Sequence, residues 1–334
     1  MLRVAVIGVG EHGWDNILPS VAQIQSVLTV SICDIDKDRA DLAAAKYGAK
    51  SYYDYNVMIE QEKLDAIIVA SYPDVHYKVA RLALEKGIAV FVEKPPTVTL
   101  EELVKLVSIN KQRVTTGVGL NFNYAEAVNI VDELSQSRDF GKIKYLSISH
   151  YGNKPKEPLW GLKSTVKSFL LAQVIHPIGF MVKYGDYVDT CDMNAIHEEG
   201  NLLISANFIL KNSSGDQVIA HLTSGNMCPY FMWRIEFITD RAIVIRINSL
   251  WEIEIFDKNK VTNLIDNPKR WRDVWNPSPL SNGYSRTGYF NQLSEFFSCV
   301  RSKKQFASNL ESLISVYQIL DIVEKKLAKK RIRD

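Results

Sequence analysis

Cysteine is scarce: Cys33, Cys191, Cys228 and Cys299 are the 4 in a chain of 334 residues. They stand far apart and form no C-x-x-C pair. That spacing excludes a disulfide framework and a cysteine-based zinc site, and it points to core thiols in a reducing compartment. Long apolar runs are lacking too. None approaches the about 18 residues of a membrane-spanning helix, and the chain enters strand-like sequence at once, leaving no room for a secretory leader. The expectation is a cytoplasmic protein with no membrane association. Charge of one sign is missing as well: 40 Lys and Arg against 38 Asp and Glu leave a net +2, which excludes electrostatic nucleic-acid binding as the main function. The basic cluster Lys325–Arg333 is a solvated helix end whose cations suit the helix dipole. No internal repeat, no Ser-His-Asp arrangement and no metal constellation stand out. His197 with Glu198 and Glu199 is the nearest approach to a metal set, and it reads as a solvated loop.

What is present begins at Arg3. Val4 to Ile7 form a short uncharged apolar run, suited to a strand buried on both faces, and Gly8, Gly10 and Gly13 follow in the spacing G-x-G-x-x-G. In a strand–turn–helix unit the first glycine permits a tight turn. The second lets backbone approach a pyrophosphate, and the third lets helix and strand pack closely. Trp14 to Ile24 reads as the helix, whose free N–H groups face the phosphates. Glu11 and His12 lie inside the loop; for His12 the backbone N–H, rather than the imidazole, is the expected phosphate ligand. A second apolar run ends at Asp34, a little beyond the roughly 20-residue spacing expected for a carboxylate that accepts from the ribose hydroxyls. The structural alternative is a glycine-rich turn with no ligand.

Strand and helix signals then alternate. Strands are expected at Leu28–Cys33, Ser51–Tyr53, Asp65–Ala70, Ile88–Val92 and Thr115–Leu120. Helices are expected at Lys37–Tyr47, with Asp36 or Ile35 at its start, at Val75–Lys86, and from a Thr99 cap to about Arg113. Repeated β-α units imply an α/β doubly wound parallel sheet, with ligands at the C-terminal ends of its strands. After Asn121 the pattern changes. A connecting helix Tyr124–Ser135, a half-buried strand Ile143–Tyr151 and a helix Phe169–Lys183 precede a β-rich stretch from Asn201 to Phe256. Asp257–Gly283 reads as irregular, and helices Thr287–Val300 and Leu310–Lys326 close the chain. A chain this long exceeds the size at which one core stops growing. The expected domains are therefore 1–121, a Rossmann unit, and 122–334, an α+β unit with an open antiparallel sheet. The last helices are free to pack back on the first domain.

At Glu93-Lys94-Pro95 the pieces become specific. A glycine motif, an acid after the second strand, Ser71-Tyr72-Pro73-x-x-His76 after the fourth and Glu-Lys-Pro after the fifth occur in that order. The chain thereby resembles the glucose–fructose oxidoreductase / inositol dehydrogenase (Gfo/Idh/MocA) family. The resemblance implies a nicotinamide-dependent oxidoreductase whose second-domain sheet covers the active site and forms an oligomer contact. Lys94 matches the family's active-site lysine, and a cis Lys-Pro bond is seen in the family. His176 matches the histidine of Asp-x-Gly-x-His; here Ala172 replaces the acid and Val174 the glycine. A hydrogen-bonded core histidine is the structural alternative for His176. His76 matches a histidine near the cofactor edge, acting first in packing. Asn121 matches an asparagine after the sixth strand. Phe122 and Asn123 replace the arginines that often follow it, which disfavours an anionic substrate.

The implied cofactor is NAD, with NADP as the alternative that Lys37 and Arg39 would allow. The cofactor set is Gly8, Gly10, Glu11, His12, Gly13, Asp34, Ser71, Tyr72, His76, Glu93, Lys94 and Asn121, and the catalytic pair is Lys94 and His176. The implied substrate is a sugar or polyol. Tyr151, Trp160, Tyr230 and Trp233 are offered as stacking rings, and Lys154, Lys156, Lys163 and Lys167 as partners for a nucleotide-sugar anion. Both sets read equally as core packing and a solvated loop. The implied assembly is a homodimer or homotetramer. Two other functions fit the same residues: a dinucleotide sensor or scaffold without net redox, and an enzyme using bound NAD transiently.

Overall fold

The computed structural model describes residues 1–137, 139–185, 187–257 and 273–330. The chain divides into two compact units. The first is Met1–Asn121 with Gly288–Tyr317; the second is Phe122–Thr287 with the chain from Gln318 onward.

The first unit is built on a six-stranded parallel sheet of order β3-β2-β1-β4-β5-β6. Its strands are β1 Leu2–Ile7, β2 Val27–Cys33, β3 Lys50–Tyr52, β4 Ala66–Val69, β5 Ala89–Glu93 and β6 Thr116–Gly119. The central strands are mostly apolar because both faces are covered; β4 and β5 are buried at every position, down to Glu93 at the end of β5. The strand order reverses beside β1, which places a crevice at the C-terminal ends of β1 and β4.

Local chemistry fixes the helices of this unit. A wide π turn, Gly13–Ile17, leads into α1, Leu18–Ala22. In α2, Lys37–Tyr47, the Asp36 carboxylate caps the start by accepting from Arg39 N at 3.1 Å, and Gly48 in the left-handed region (φ 66°) ends it. The short α3, Tyr55–Gln61, was not expected from the sequence; Asp54 caps it, accepting from Asn56 N at 2.7 Å. Next comes α4, Pro73–Glu85. Thr99 and Glu102 form a reciprocal capping box on α5, Leu100–Ile109. That helix stops short of Arg113 because the Asn110 side chain clips the Val114 backbone on both sides, at 2.9 and 3.0 Å.

The second unit opens with α6, Glu126–Ser135, and carries an eight-stranded sheet of order β14-β13-β12-β11-β7-β10-β9-β8. The strands are β7 Ile143–Tyr151, β8 Tyr187–Glu198, β9 Asn201–Lys211, β10 Gln217–Gly225, β11 Met232–Thr239, β12 Ile243–Asn248, β13 Glu252–Asp257 and β14 Asp273–Trp275. The expected open antiparallel sheet is in fact mixed. β10 lies parallel to β7, because the β8–β9–β10 meander returns to β7 running in its direction. β8 went unpredicted, and it takes up His197 and Glu198, which had read as loop. It is an edge strand with Met193 as its one buried residue, so it lacks the apolar alternation that reveals a strand. β14 likewise falls within the stretch expected to be irregular, much of which lies outside the described residues.

One face of this sheet is apolar and buried: Leu146 and Ile148, Ile204 and Ala206, Ala220 and Leu222, Ile235 and Phe237. Within this unit, Thr165–Tyr184 forms a continuous helical run: α7 Thr165–Phe169, a π turn Leu170–Val174, α8 Ile175–Met181 and a final tight turn. The run is long and apolar enough to span a membrane, contrary to the expectation that no such stretch exists. Its apolar surface is instead spent on the core, since 78% of it is buried.

The closing helices are α9, Gly283–Arg286, α10, Tyr289–Ser302, and α11, Leu313–Lys330, inside which the division between units falls. In the first unit, Phe296 and Phe306 close over Phe91, with ring centroids 5.4 and 6.4 Å away.

Candidate active site

The chain leaves every strand of the first sheet at the same edge, so residues scattered from position 8 to 121 are gathered there. Gly8 follows β1 with φ +87°, and a Cβ on it would collide with the Ala70 carbonyl oxygen at the exit of β4. A Cβ on Gly13 would collide with the Gly8 carbonyl, so the third glycine allows helix to meet strand. Gly10 differs: a Cβ on it would meet Arg39 Nη1 at 3.9 Å and nothing nearer, which leaves a hollow above the loop. Glu11 is exposed and His12 half-buried.

Asp34 follows β2 and is mostly buried, with a side chain 9% exposed. Its Oδ2 accepts from Val9 N at 2.8 Å, which ties it to the glycine loop, and Oδ1 accepts from Asp36 N at 2.9 Å. Arg39 reaches both acids, at 3.6 Å from Asp34 and 3.1 Å from Asp36. A carboxylate has about four lone-pair directions, so two remain for ribose hydroxyls. Beside it, burial pushes the Cys33 thiol up to about 12, so it stays neutral.

Ser71 and Tyr72 follow β4; Tyr72 is exposed and caps α4. The buried His76 imidazole accepts from Ser71 N at 3.0 Å through Nε2 and donates from Nδ1 to the Pro95 carbonyl at 2.8 Å. It thus pins the exit of β4 to the turn after β5 as a neutral ring, and burial brings its pKa down from 6.5 to about 4. The Lys94–Pro95 peptide held by this contact is cis, and Lys94 is half-buried.

Glu93, the last residue of β5, is 5% exposed and lies against Gly119. Burial pushes its carboxyl up, yet the adjacent His12, Lys94 and His76 outweigh burial and hold it below the usual carboxylate range. His12 Nε2 is 3.5 Å from Glu93 Oε2, and the Tyr289 ring of α10 meets the His12 ring edge-on at 5.5 Å. Glu93 Oε1 is buried with no hydrogen-bond partner. Asn121, just beyond β6, is buried at 3%. Arg39, Tyr289 and the loop-facing side of His12 were not in the expected cofactor set. The capping spacing Asp36–Arg39 is a signal for the first; Tyr289 is brought in by tertiary packing alone.

In the second unit His176 sits on α8, 5% exposed, with the Phe122 ring tilted over it at 4.6 Å. Phe122 also meets Trp233 at 4.9 Å and the exposed Phe231 at 5.5 Å. Trp233, offered as a stacking ring, is wholly buried, because its strand turns it inward against His150 and Phe180. Trp251, expected in a strand, precedes β13 and is 40% exposed. Of the lysines before the helix, Lys167 is taken up by Glu324 at 2.8 Å and Lys156 by Asn201 at 2.5 Å. Ala172 is buried inside the π turn, so the wider turn, as well as the missing acid, separates it from the usual pairing with His176.

The cradle over Gly10, the Asp34 carboxylate and the buried unpartnered oxygen of Glu93 fit a dinucleotide. A parallel sheet of this order carrying a glycine cradle and an acid after β2 defines a dinucleotide-binding Rossmann domain. Comparison with known proteins narrows the class. Residues 2–122 match the family described as "Oxidoreductase family, NAD-binding Rossmann fold". A dehydrogenase from Chromobacterium violaceum is 33% identical, with a TM-score of 0.92 over 100% of this chain and 99% of that one. Inositol 2-dehydrogenase of Salmonella typhimurium is 29% identical over 139 residues, 39% of this chain and 41% of that protein, so the match spans about two fifths of that relative. Levoglucosan dehydrogenase in complex with NADH and L-sorbose shares the fold, with a TM-score of 0.81 at 15% identity over 98% of this chain and 97% of that one. The chain belongs to the Gfo/Idh/MocA family of oxidoreductases, and residues 2–122 form its NAD-binding Rossmann domain.

Two outcomes follow from this geometry. Below pH 6.5 the unfolded chain gains a proton on His76 that the folded chain refuses until about pH 4. Folding stability should therefore fall as pH drops through that window, and urea titrations of His76→Gln should show a shallower fall. The Asp34 charge should disfavour a 2′-phosphate, so fluorescence titration should give a lower Kd for NADH than for NADPH. Equal or tighter NADPH binding would mean that Arg39 dominates Asp34.

Proposed function

We propose that the protein is an NAD-dependent dehydrogenase or reductase acting on a CH–OH or C=O group of an uncharged sugar or polyol, and that it works in the cytoplasm. The observation that carries the proposal is the gathering of Lys94, the Lys94–Pro95 turn pinned by His76 and the glycine cradle at one edge of the first sheet. Bound NAD supplies the hydride acceptor, or as NADH the donor. Lys94 donates a hydrogen bond to the substrate oxygen and stabilises the negative charge that grows there. His176 exchanges the hydroxyl proton. The apolar wall of Phe122 and Phe231 and the absence of arginine after Asn121 support a neutral substrate over an anionic one. We assign domain boundaries at 1–121 and 122–334, with the helix α10 segment returning to the first.

A second function is favoured by one observation, the buried Ala172 in place of an acid: dinucleotide sensing without net redox. Mutagenesis separates the two. With a substrate that supports turnover, Lys94→Met should lower kcat on the order of 100- to 1000-fold. His176→Ala should lower it on the order of 100-fold. Neither should greatly weaken NADH binding. Tight NADH binding with no turnover on any sugar, inositol or nucleotide sugar would instead support the sensor.

Assembly as a homodimer or homotetramer has its own support. Strand register aligns Ile209, Ile219, Tyr145, Ile238, Val244 and Phe256 in one row across the outer face of the second sheet. Ile219 is 57% exposed. The neighbouring row carries charge of both signs, with Arg246 bonded to Glu236, so a second copy can complement it. Ile219→Glu should lower the mass measured by light scattering to that of a monomer; an unchanged oligomer would place the contact elsewhere.

A further inference from the structure

His12 stands in a glycine loop whose task is to hold a diphosphate, and its imidazole is turned toward a buried acid. Nε2 lies 3.5 Å from Glu93 Oε2, an ion-pair distance longer than the 2.7–2.9 Å of a charge-assisted hydrogen bond. Nδ1 is 3.4 Å from Asn16 Nδ2, and Tyr289 packs on the ring edge. The partner acid has a second oxygen, Oε1, buried and without a hydrogen-bond partner. A diphosphate seated on this loop adds two negative charges next to an acid that is already charged and desolvated. Uncompensated, that repulsion is costly in a low-dielectric crevice.

We propose that His12 and Glu93 form a proton-linked pair, in which seating the dinucleotide diphosphate at the glycine loop draws a proton onto His12. The imidazolium then lies between the diphosphate and Glu93 and offsets both. The other groups facing the pair cannot take this part near neutrality. His76, from α4, is held neutral by burial and its two hydrogen bonds, with a pKa of about 4. Tyr289, from α10, has its phenol pushed above its ordinary range by burial and by Glu93, so it remains protonated. Lys94 is already a cation, Asn16 does not titrate, and Glu93 is held below the usual carboxylate range. Histidine is the side chain that ordinarily changes charge near neutral pH, and His12, set between the glycine loop and Glu93, is the group placed to gain a proton here.

The sign follows from linkage. A ligand that raises the pKa of His12 binds best at low pH and loses affinity as pH rises from the free toward the bound pKa. The test is calorimetry of the full chain with NADH and with ADP-ribose, which has the diphosphate but no nicotinamide. Titrations at pH 7 in buffers of different ionisation enthalpy count the protons taken up. Wild type should take up about 0.3 to 1 proton with either ligand, and its Kd for ADP-ribose should rise on the order of 10-fold between pH 6 and pH 8. His12→Gln should abolish both effects while still binding. Glu93→Gln, which removes the acid and leaves the imidazole, should reduce the uptake. Binding without proton uptake in wild type overturns the proposal, as does uptake that persists in His12→Gln or occurs with NADH alone. These outcomes depend only on a dinucleotide at the loop and are independent of the substrate and of turnover.

Discussion

The close approach of two backbones at the exits of β1 and β4 governs the first unit. Gly8 sits against the Ala70 carbonyl, and Gly13 against Gly8 itself. A side chain at either position would push the helix off the sheet and close the hollow above Gly10. Everything else at this edge is fastened to that junction. Asp34 ties the loop to β2 through Val9, and His76 ties β4 to the turn after β5. The parallel sheet supplies the common edge, and the hydrogen bonds at each strand exit make that edge rigid.

Charge is arranged around one buried acid. Glu93 ends β5 where its carboxylate would be poorly solvated, and three side chains from separate segments lie around it: His12, Lys94 and the neutral ring of His76. Two of these belong to motifs that the sequence marks on their own, the glycine loop and the Glu-Lys-Pro turn. The carboxylate thus links the glycine loop, through His12, to Lys94, and that linkage is a reason for an acid at this buried strand end.

The second unit solves a different problem. Its long helical run is apolar enough for a membrane and is spent on a sheet whose inner face is equally apolar. Within that helix the π turn falls at Ala172, ahead of His176, and the Phe122 ring lies over the histidine. With Ala172 at that position, His176 lacks an acid four residues before it.

Legible in the sequence were the six strands of the first unit and its longer helices, the glycine cradle, Asp34 after β2 and the Glu-Lys-Pro turn after β5. These depend on local signals: unbroken apolar runs, capping residues and glycines demanded by steric contact. It also showed Ala172 where an acid was expected. Tertiary structure alone decided the rest. β8 is an exposed edge strand with no apolar alternation to mark it, and α3 is too short for a periodicity signal. The π turns at Gly13–Ile17 and Leu170–Val174 carry no local signal in the sequence. Trp233 turned inward because its strand pairs between β7 and β12, which register settles and composition does not. Tyr289 reaches His12, and Phe296 reaches Phe91, across most of the chain's length, because the closing helix returns to the first sheet. Contacts between residues so distant in sequence leave no local pattern, as burial of apolar surface is non-directional and many partners satisfy it equally.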